Sequence, residues 1–313
     1  MLRRRSRSSV PTPSAVPAAP AKPVEPQLPP RASDELSSAE FVRFSYNLVL
    51  DREPDDGANE LYIPALDEGR LSRHEILDTM RHSMEFRNQI RTRNILISLH
   101  LSRCDFIRSL PRAKRILDLG GTHQSDPSGA LVGMGYPYEF DELIIVDLPH
   151  DDRHDIYTHS APIERHESPM GLVRYEYHSM VDLSRYEDAS FDLVYSGQTI
   201  EHVTPEECDT VLAGVMRVLK PGGWFCLDTP NGPVCRLQQG EFINPDHKVE
   251  YGHEEFSGKL RKAGFNVREE KGLNWAGKSI ERGWFSVEEV AWYNGVYGTP
   301  AECYLLAYCA QKP

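Results

Sequence analysis

The sequence predicts an α/β protein, a largely parallel sheet with crossover helices, preceded by a small all-helical unit. Three observations predict it. From Arg115 onward, short apolar runs of strand length alternate with helical stretches, the order expected when parallel strands are joined by helices. Two of those runs, RILDL and LIIVD, end on or beside an aspartate just as the chain turns into a loop. Between Ser37 and Phe86 the pattern is helical instead, with two capping-box spacings, Ser37 to Glu40 and Ser72 to Glu75.

Residues 1–32 are proline, alanine, serine and arginine with almost no large apolar side chain, so they cannot offset the entropy of ordering and read as a disordered tail. Residues 33–88 read as the helical unit. A first helix carries Phe41, Phe44 and Leu48 at helical intervals, a turn is written into Asp51 to Gly57, and a second helix covers Ala58 to Leu66. A third follows Ser72 with Ile76, Leu77, Met80 and Phe86. Residues 89–313 read as the sheet domain, opened by a helix over 87–111 bearing Ile95, Leu96, Leu99 and Ile107. Seven strands are predicted, at 116–119, 143–146, 174–177, 191–195, 223–227, 265–269 and 304–309.

Composition narrows the function. A chain of 313 residues with 40% hydrophobic content can bury one full-sized core and a small accessory one. No run of eighteen apolar residues occurs, so neither a membrane span nor a secretory signal is readable, and the expected setting is cytoplasmic. Six cysteines lie far apart without a CxxC pair, which argues against disulfides and against a zinc site. A net charge of −12 disfavours nucleic acid as a partner, and small or neutral substrates fit better.

The chemistry is carried by the ends of the strands. RILDL runs into Gly120-Gly121-Thr122, placing Asp118 where small residues let a ligand approach the backbone. LIIVD ends on Asp147, followed by Leu148, and a carboxylate there can accept hydrogen bonds from both hydroxyls of a ribose. FDLVYS ends at Ser196 and leads through Gln198 to Glu201-His202. VLKPGGWFCLDTPN then supplies a helix end, a Pro-Gly-Gly turn and a strand. A dehydrogenase would need a GxGxxG spacing across a pyrophosphate, and this loop does not provide it.

On those motifs, the stretch from Arg115 to Asn231 resembles the class I S-adenosylmethionine-dependent methyltransferases, within the group that includes ubiquinone-type and sugar O-methyltransferases. DHKVEYGHEEFSGKLRKAGF extends the likeness to Phe265. The resemblance implies a Rossmann-like seven-stranded methyltransferase sheet with S-adenosyl-L-methionine as cofactor. It implies that Asp118, Gly120, Gly121 and Thr122 lie along the methionine and ribose portion and that Asp147 and Leu148 hold the ribose. Met180, Val181 and Asp182 would border adenine, and Ser196 to Thr199, Gln198 included, would close over the methionine end. The loop Gly120-Gly121-Thr122-His123 departs from the family's longer glycine pattern. Met180 stands where an adenine-binding aspartate often does, leaving backbone contacts from Val181 or the carboxylate of Asp182 as replacements. The string FVRFSYNLVLDREPDDGANELYIPALDEGRLSRHEILDTMRHSMEF resembles a small helical domain of unknown function frequently fused to bacterial enzymes acting on glycans, which implies envelope-biosynthesis partners.

Methyl transfer to a hydroxyl needs a positioned acceptor and a group to take its proton. Histidine suits that role near neutral pH. His247 in NPDHK is the first candidate base and His202 the second, with His253 nearby. No spacing demands a metal, although Asp228, Asp246 and His247 are of the type that could hold a divalent ion. Ser196-Gly197-Gln198-Thr199 replaces the Asn/Asp-Pro-Pro-aromatic tetrad of amine methyltransferases acting on nucleic acid, which favours oxygen. The expected activity is O-methylation of a sugar, glycan or glycosylated metabolite. A small aromatic or quinone-like acceptor, and a binding protein whose fold has lost catalysis, are the alternatives. The connection 148–172 and the aromatic stretch 275–297, with Trp284, Phe285, Trp292 and Tyr293, are expected to shape the acceptor pocket.

Overall fold

Both capping boxes read from the sequence close in the structure, a computed structural model that describes residues 36–123, 126–149, 163–239 and 242–313. The tail expected at 1–32 and most of the connection 148–172 lie outside the described residues. The chain divides into two units, Met1–Ser83 and Met84–Pro313.

In the first unit, α1 (Ser38–Leu50), α2 (Asp56–Asp67) and α3 (Arg73–His82) each begin on a side-chain cap, from Ser37, Asp55 and Ser72. The buried face of α1 is Phe41, Val42, Tyr46 and Leu50, whereas Phe44 and Leu48 are exposed. The expected stripe is therefore off by part of a turn. Val42 and Tyr46 are spaced four apart and sit beside Phe41, so they give the broader apolar face that α2 and α3 can cover.

The second unit opens with α4 (Met84–Arg108), which begins ahead of the expected boundary at 88/89 and runs on unbroken. Its sheet has nine strands: β1 (Arg115–Leu119), β2 (Glu142–Asp147), β3 (Arg165–Ser168), β4 (Gly171–Tyr177), β5 (Phe191–Gly197), β6 (Leu219–Pro230), β7 (Asn266–Trp275), β8 (Val296–Tyr297) and β9 (Cys303–Gln311). Their order is β3-β4-β2-β1-β5-β6-β9-β7-β8. The strands from β4 to β6 are parallel, and β9 enters antiparallel between β6 and β7. All seven expected strands are present in this Rossmann-like α/β sheet. The two additional ones are the polar edge strand β3 and the two-residue β8.

Alternation along the strands divides the core. Ile116, Leu143, Ile145, Leu193 and Tyr195 face one layer with Phe106 and Ile107 of α4. Leu117, Ile144, Val146, Val194 and Phe225 face the other, covered by Val211 and Val215 of α6 (Pro205–Val218) and Phe256 of α8 (His253–Lys262). Burial on both faces is why these strands read as continuous apolar runs. All six cysteines are buried free thiols. Among the described residues no helix is long and apolar enough to cross a membrane.

Candidate active site

The chain passes from β1 to β2 to β4 on one side of the sheet and returns to lay β5 against the other side of β1. The crevice beyond the C-terminal ends of β1, β2 and β5 is thus a topological switch point, where ligands bind in open α/β sheets. A cavity of about 570 Å³ opens there, a size suited to a small-molecule ligand. Of the residues singled out from the sequence, Gly120, Thr122, Asp147, Leu148, Met180, Gln198, Thr199, His202 and Asp246 line it, whereas Asp118, Gly121, Ser196 and His247 do not.

Beneath the loop after β1 lies Asp118, 1% exposed, with neither carboxylate oxygen hydrogen-bonded. Burial first, and then the neighbouring charge of Asp147, push its carboxyl up to about 8. Gly121 lies against it: a Cβ there would come within 2.0 Å of Asp118 Oδ2. Gly120 has φ +79°, and a Cβ would meet Thr199 at 2.5 Å, so glycine keeps this part of the wall open. Ser196 is fully buried with its hydroxyl unpartnered, as is the hydroxyl of Thr122.

The wall expected from Met180, Val181 and Asp182 is made by Ser179 and Met180. Val181 N–H donates to Ser179 Oγ at 3.2 Å, and the Asp182 carboxylate accepts from Ser184 N–H at 3.0 Å; the Ser184 side chain first, and then this backbone bond, hold its pKa down. Both are occupied by their own turn, and neither lines the cavity.

Asp228 is not available to a metal. Its fully buried carboxylate accepts from Arg103 Nε at 2.7 Å, Tyr195 Oη at 2.5 Å and Gln198 Nε2 at 2.8 Å. The backbone N–H of Gln198, a residue held at φ +57°, also donates to the Asp228 carbonyl. This cluster fixes the turn after β5 that forms the cavity wall.

At the far end stand two imidazoles. His202 lies in a 3-10 turn (Ile200–His202) and lines the cavity; the ring of His247 packs edge-on against it with centroids 4.9 Å apart. His247 is 7% exposed and does not line the cavity itself, although its neighbours Asp246 and Lys248 do. The segment is tied in place by the N–H groups of Lys248 and Val249, which donate to the Glu201 carbonyl. Burial, and then His247, lower the pKa of His202. His253 is elsewhere: its Nε2 lies 2.5 Å from Glu270 and its ring stacks on Tyr308, so it serves the packing of α8 on the sheet. The aromatic stretch stays outside the cavity too. Trp284 and Trp292 are exposed, and Phe285 packs on Tyr304.

Sequence reasoning missed His178, Ser179 and Lys248 in the lining and the buried Glu201 behind His202. Only Glu201 carried a signal, an acid directly adjoining a candidate histidine.

A ligand for this cavity should be cationic near the buried Asp118, should offer hydroxyls to Asp147 and should leave room at Gly120. S-adenosylmethionine, with its sulfonium and ammonium charges, fits those residues. Asp118, Gly120, Thr122 and Asp147 would hold it.

Parts of the chain are similar to known proteins. Residues 155–227 match the family model described as a methyltransferase domain, and residues 29–90 match a domain of unknown function, DUF4214. A probable S-adenosylmethionine-dependent methyltransferase of Mycolicibacterium smegmatis is 35% identical over 86 residues, which is 28% of this chain and 33% of that one. The chain thus spans about a third of that relative's length. Among solved structures, an S-adenosylmethionine-dependent methyltransferase of Thermotoga maritima, titled a possible histamine N-methyltransferase, overlays with TM-score 0.48 at 16% identity. The overlay covers 70% of this chain and 91% of that one. Another from Archaeoglobus fulgidus overlays with TM-score 0.45 at 18% identity, covering 70% and 94%. The strand order, not these overlays, carries the fold: the second unit is a Rossmann-like α/β sheet, and residues 155–227 within it match the methyltransferase-domain model.

Proposed function

We propose that this chain transfers the methyl group of S-adenosylmethionine to a hydroxyl of a sugar, glycan or glycosylated metabolite. The observation that carries the reading is one cavity that Asp147 and His202 both line, with the buried Asp118 beneath its wall and His247 packed against His202. Bound S-adenosylmethionine would supply an electrophilic methyl group with a neutral thioether as its leaving group. The protein's share is to align the acceptor and receive its proton. His247 is suited to that. Its Nδ1 lies 2.7 Å from Glu250 Oε1, which fixes the ring and leaves Nε2 as the acting nitrogen.

Two features favour a hydroxyl of a sugar. The turn Ser196-Gly197-Gln198-Thr199 lacks the tetrad of amine methyltransferases acting on nucleic acid, and the N-terminal string resembles domains fused to glycan enzymes. On this reading residues 33–88 serve as a module recruiting envelope-biosynthesis partners and residues 89–313 as the catalytic domain. The buried free thiols suit a cytoplasmic setting.

Calorimetry with S-adenosylmethionine, followed by a screen of sugar and phenolic acceptors for formation of S-adenosylhomocysteine, tests the proposal. Binding with turnover on sugars supports it. Turnover confined to phenols would replace the acceptor class with a quinone-like one, and binding without turnover on any acceptor would make the chain a binding protein.

A further inference from the structure

Next to His202, buried beneath the cavity lining, lies a group that the proton-transfer reading does not use. Glu201 is fully buried; its Oε2 accepts from Thr229 Oγ1 at 3.0 Å, and its Oε1 has no partner. A buried carboxylate oxygen left unpaired is costly unless something is meant to meet it. We infer that Glu201, His202 and His247 form a site for one divalent transition-metal ion whose remaining ligand positions face the cavity and take the acceptor's hydroxyl.

The three side chains offer one ligand atom each, all within 4.8 Å of one another. Ligands held about 2.1 Å from a shared ion lie at most about 4.2 Å apart, so small side-chain rotations close the set. The surroundings are those of a ligand set. His247 donates through Nδ1 to Glu250, which is 4% exposed and also accepts from Ile243 N–H at 2.9 Å; such a carboxylate behind an imidazole orients the other nitrogen toward a metal. Thr229 does the same for Glu201. The backbone bonds from Lys248 and Val249 to the Glu201 carbonyl hold the two halves of the site together.

Two imidazoles and one carboxylate suit manganese, iron, cobalt or zinc better than magnesium or calcium, which prefer oxygen throughout. An ion here would lower the pKa of a hydroxyl placed on it. Holding the ion would replace the base role given to His247 above, and the proton released from the ion-bound hydroxyl would pass to solvent at the open cavity. The inference rests on the proposed function only for the acceptor being a hydroxyl; metal binding is measured without turnover.

The test is titration of chelator-treated full-length protein with Co²⁺, read by its visible absorption, and with Mn²⁺ and Zn²⁺ by calorimetry. S-adenosylmethionine binding is measured on the same samples. One ion per chain is expected for the wild type. Glu250→Gln should weaken binding by about 10–100-fold with cofactor affinity kept, and Glu201→Gln, His202→Gln and His247→Ala should weaken it by more. Failure of the wild type to take up an ion overturns the inference, as does undiminished uptake in Glu250→Gln and His202→Gln, the two mildest changes. Ion uptake without cofactor binding would instead defeat the methyltransferase reading and leave the metal site standing.

Discussion

Arg103 Nε lies 2.7 Å from Asp228 Oδ1, joining α4 to the end of β6 under the floor of the cavity. The pair spans 125 residues of sequence, and the acid is 0% exposed. Breaking one side of such a pair strands a buried charge and costs about 3–5 kcal/mol. Arg103→Met should therefore lower stability by that amount in urea unfolding and loosen the Gln198 turn. The double change Arg103→Met with Asp228→Asn should recover part of the loss, since the stranded charge is gone. Additive losses would show that the two residues act independently.

Asp147 lies where the ribose of the cofactor should meet the protein, at the end of β2 and on the cavity wall. A hydrogen bond to a charged group contributes about 1.5–3 kcal/mol. Asp147→Ala, which removes the acceptor for both hydroxyls, should then cost at least about tenfold in S-adenosylmethionine affinity. Calorimetry checks it, and unchanged affinity would move the ribose elsewhere.

How much of this was legible depended on whether the decisive partner lay nearby in the chain. Asp118 and Asp147 were readable because each closes an apolar run whose period already fixed the strand, and the strand end is where a parallel sheet binds ligands. The polar β3, Arg165–Ser168, gave no such signal; it is an edge strand and needs no apolar face. Asp228 looked like a metal ligand because a carboxylate's type is visible in sequence whereas Arg103, its distant partner, is not. His202 and His247 could each be proposed singly. Their meeting, and the buried Glu201 behind them, depend on the Lys248 and Val249 bonds to Glu201 that only the fold creates.

The Asp118 carboxyl gives a pH dependence with a definite sign. The unfolded chain releases this proton near 3.8, whereas the folded chain, through burial and the charges of Asp147 and Asp228 against the opposing Arg103, holds it up to about 8. The folded state binds the extra proton between those values. Its contribution to stability is full below the lower pH and is lost as pH rises through about 8. Glu201, pushed up to about 7 chiefly by burial, adds in the same direction. Urea midpoints measured from pH 5 to 9 on the cofactor-free protein should fall, and Asp118→Asn should flatten part of that slope. Because a cationic ligand favours the charged carboxylate, cofactor binding near pH 6.5 should release a proton. That release appears as a binding enthalpy that varies with the buffer's ionisation enthalpy, and Asp118→Asn should abolish it.

Gly120 combines two demands at one position. Its φ of +79° is a left-handed conformation, and an added Cβ would meet the Thr199 side chain at 2.5 Å on the cavity wall. The backbone conformation alone costs a non-glycine residue about 1–2 kcal/mol, and the contact must be relieved by moving Thr199 into the space the ligand needs. Gly120→Ala should thus lose both stability and cofactor affinity. Adding Thr199→Ala should restore the affinity while leaving the backbone part of the stability loss in place, because only the contact has been removed. If the double variant recovers neither, the wall at Gly120 is not where the cofactor passes.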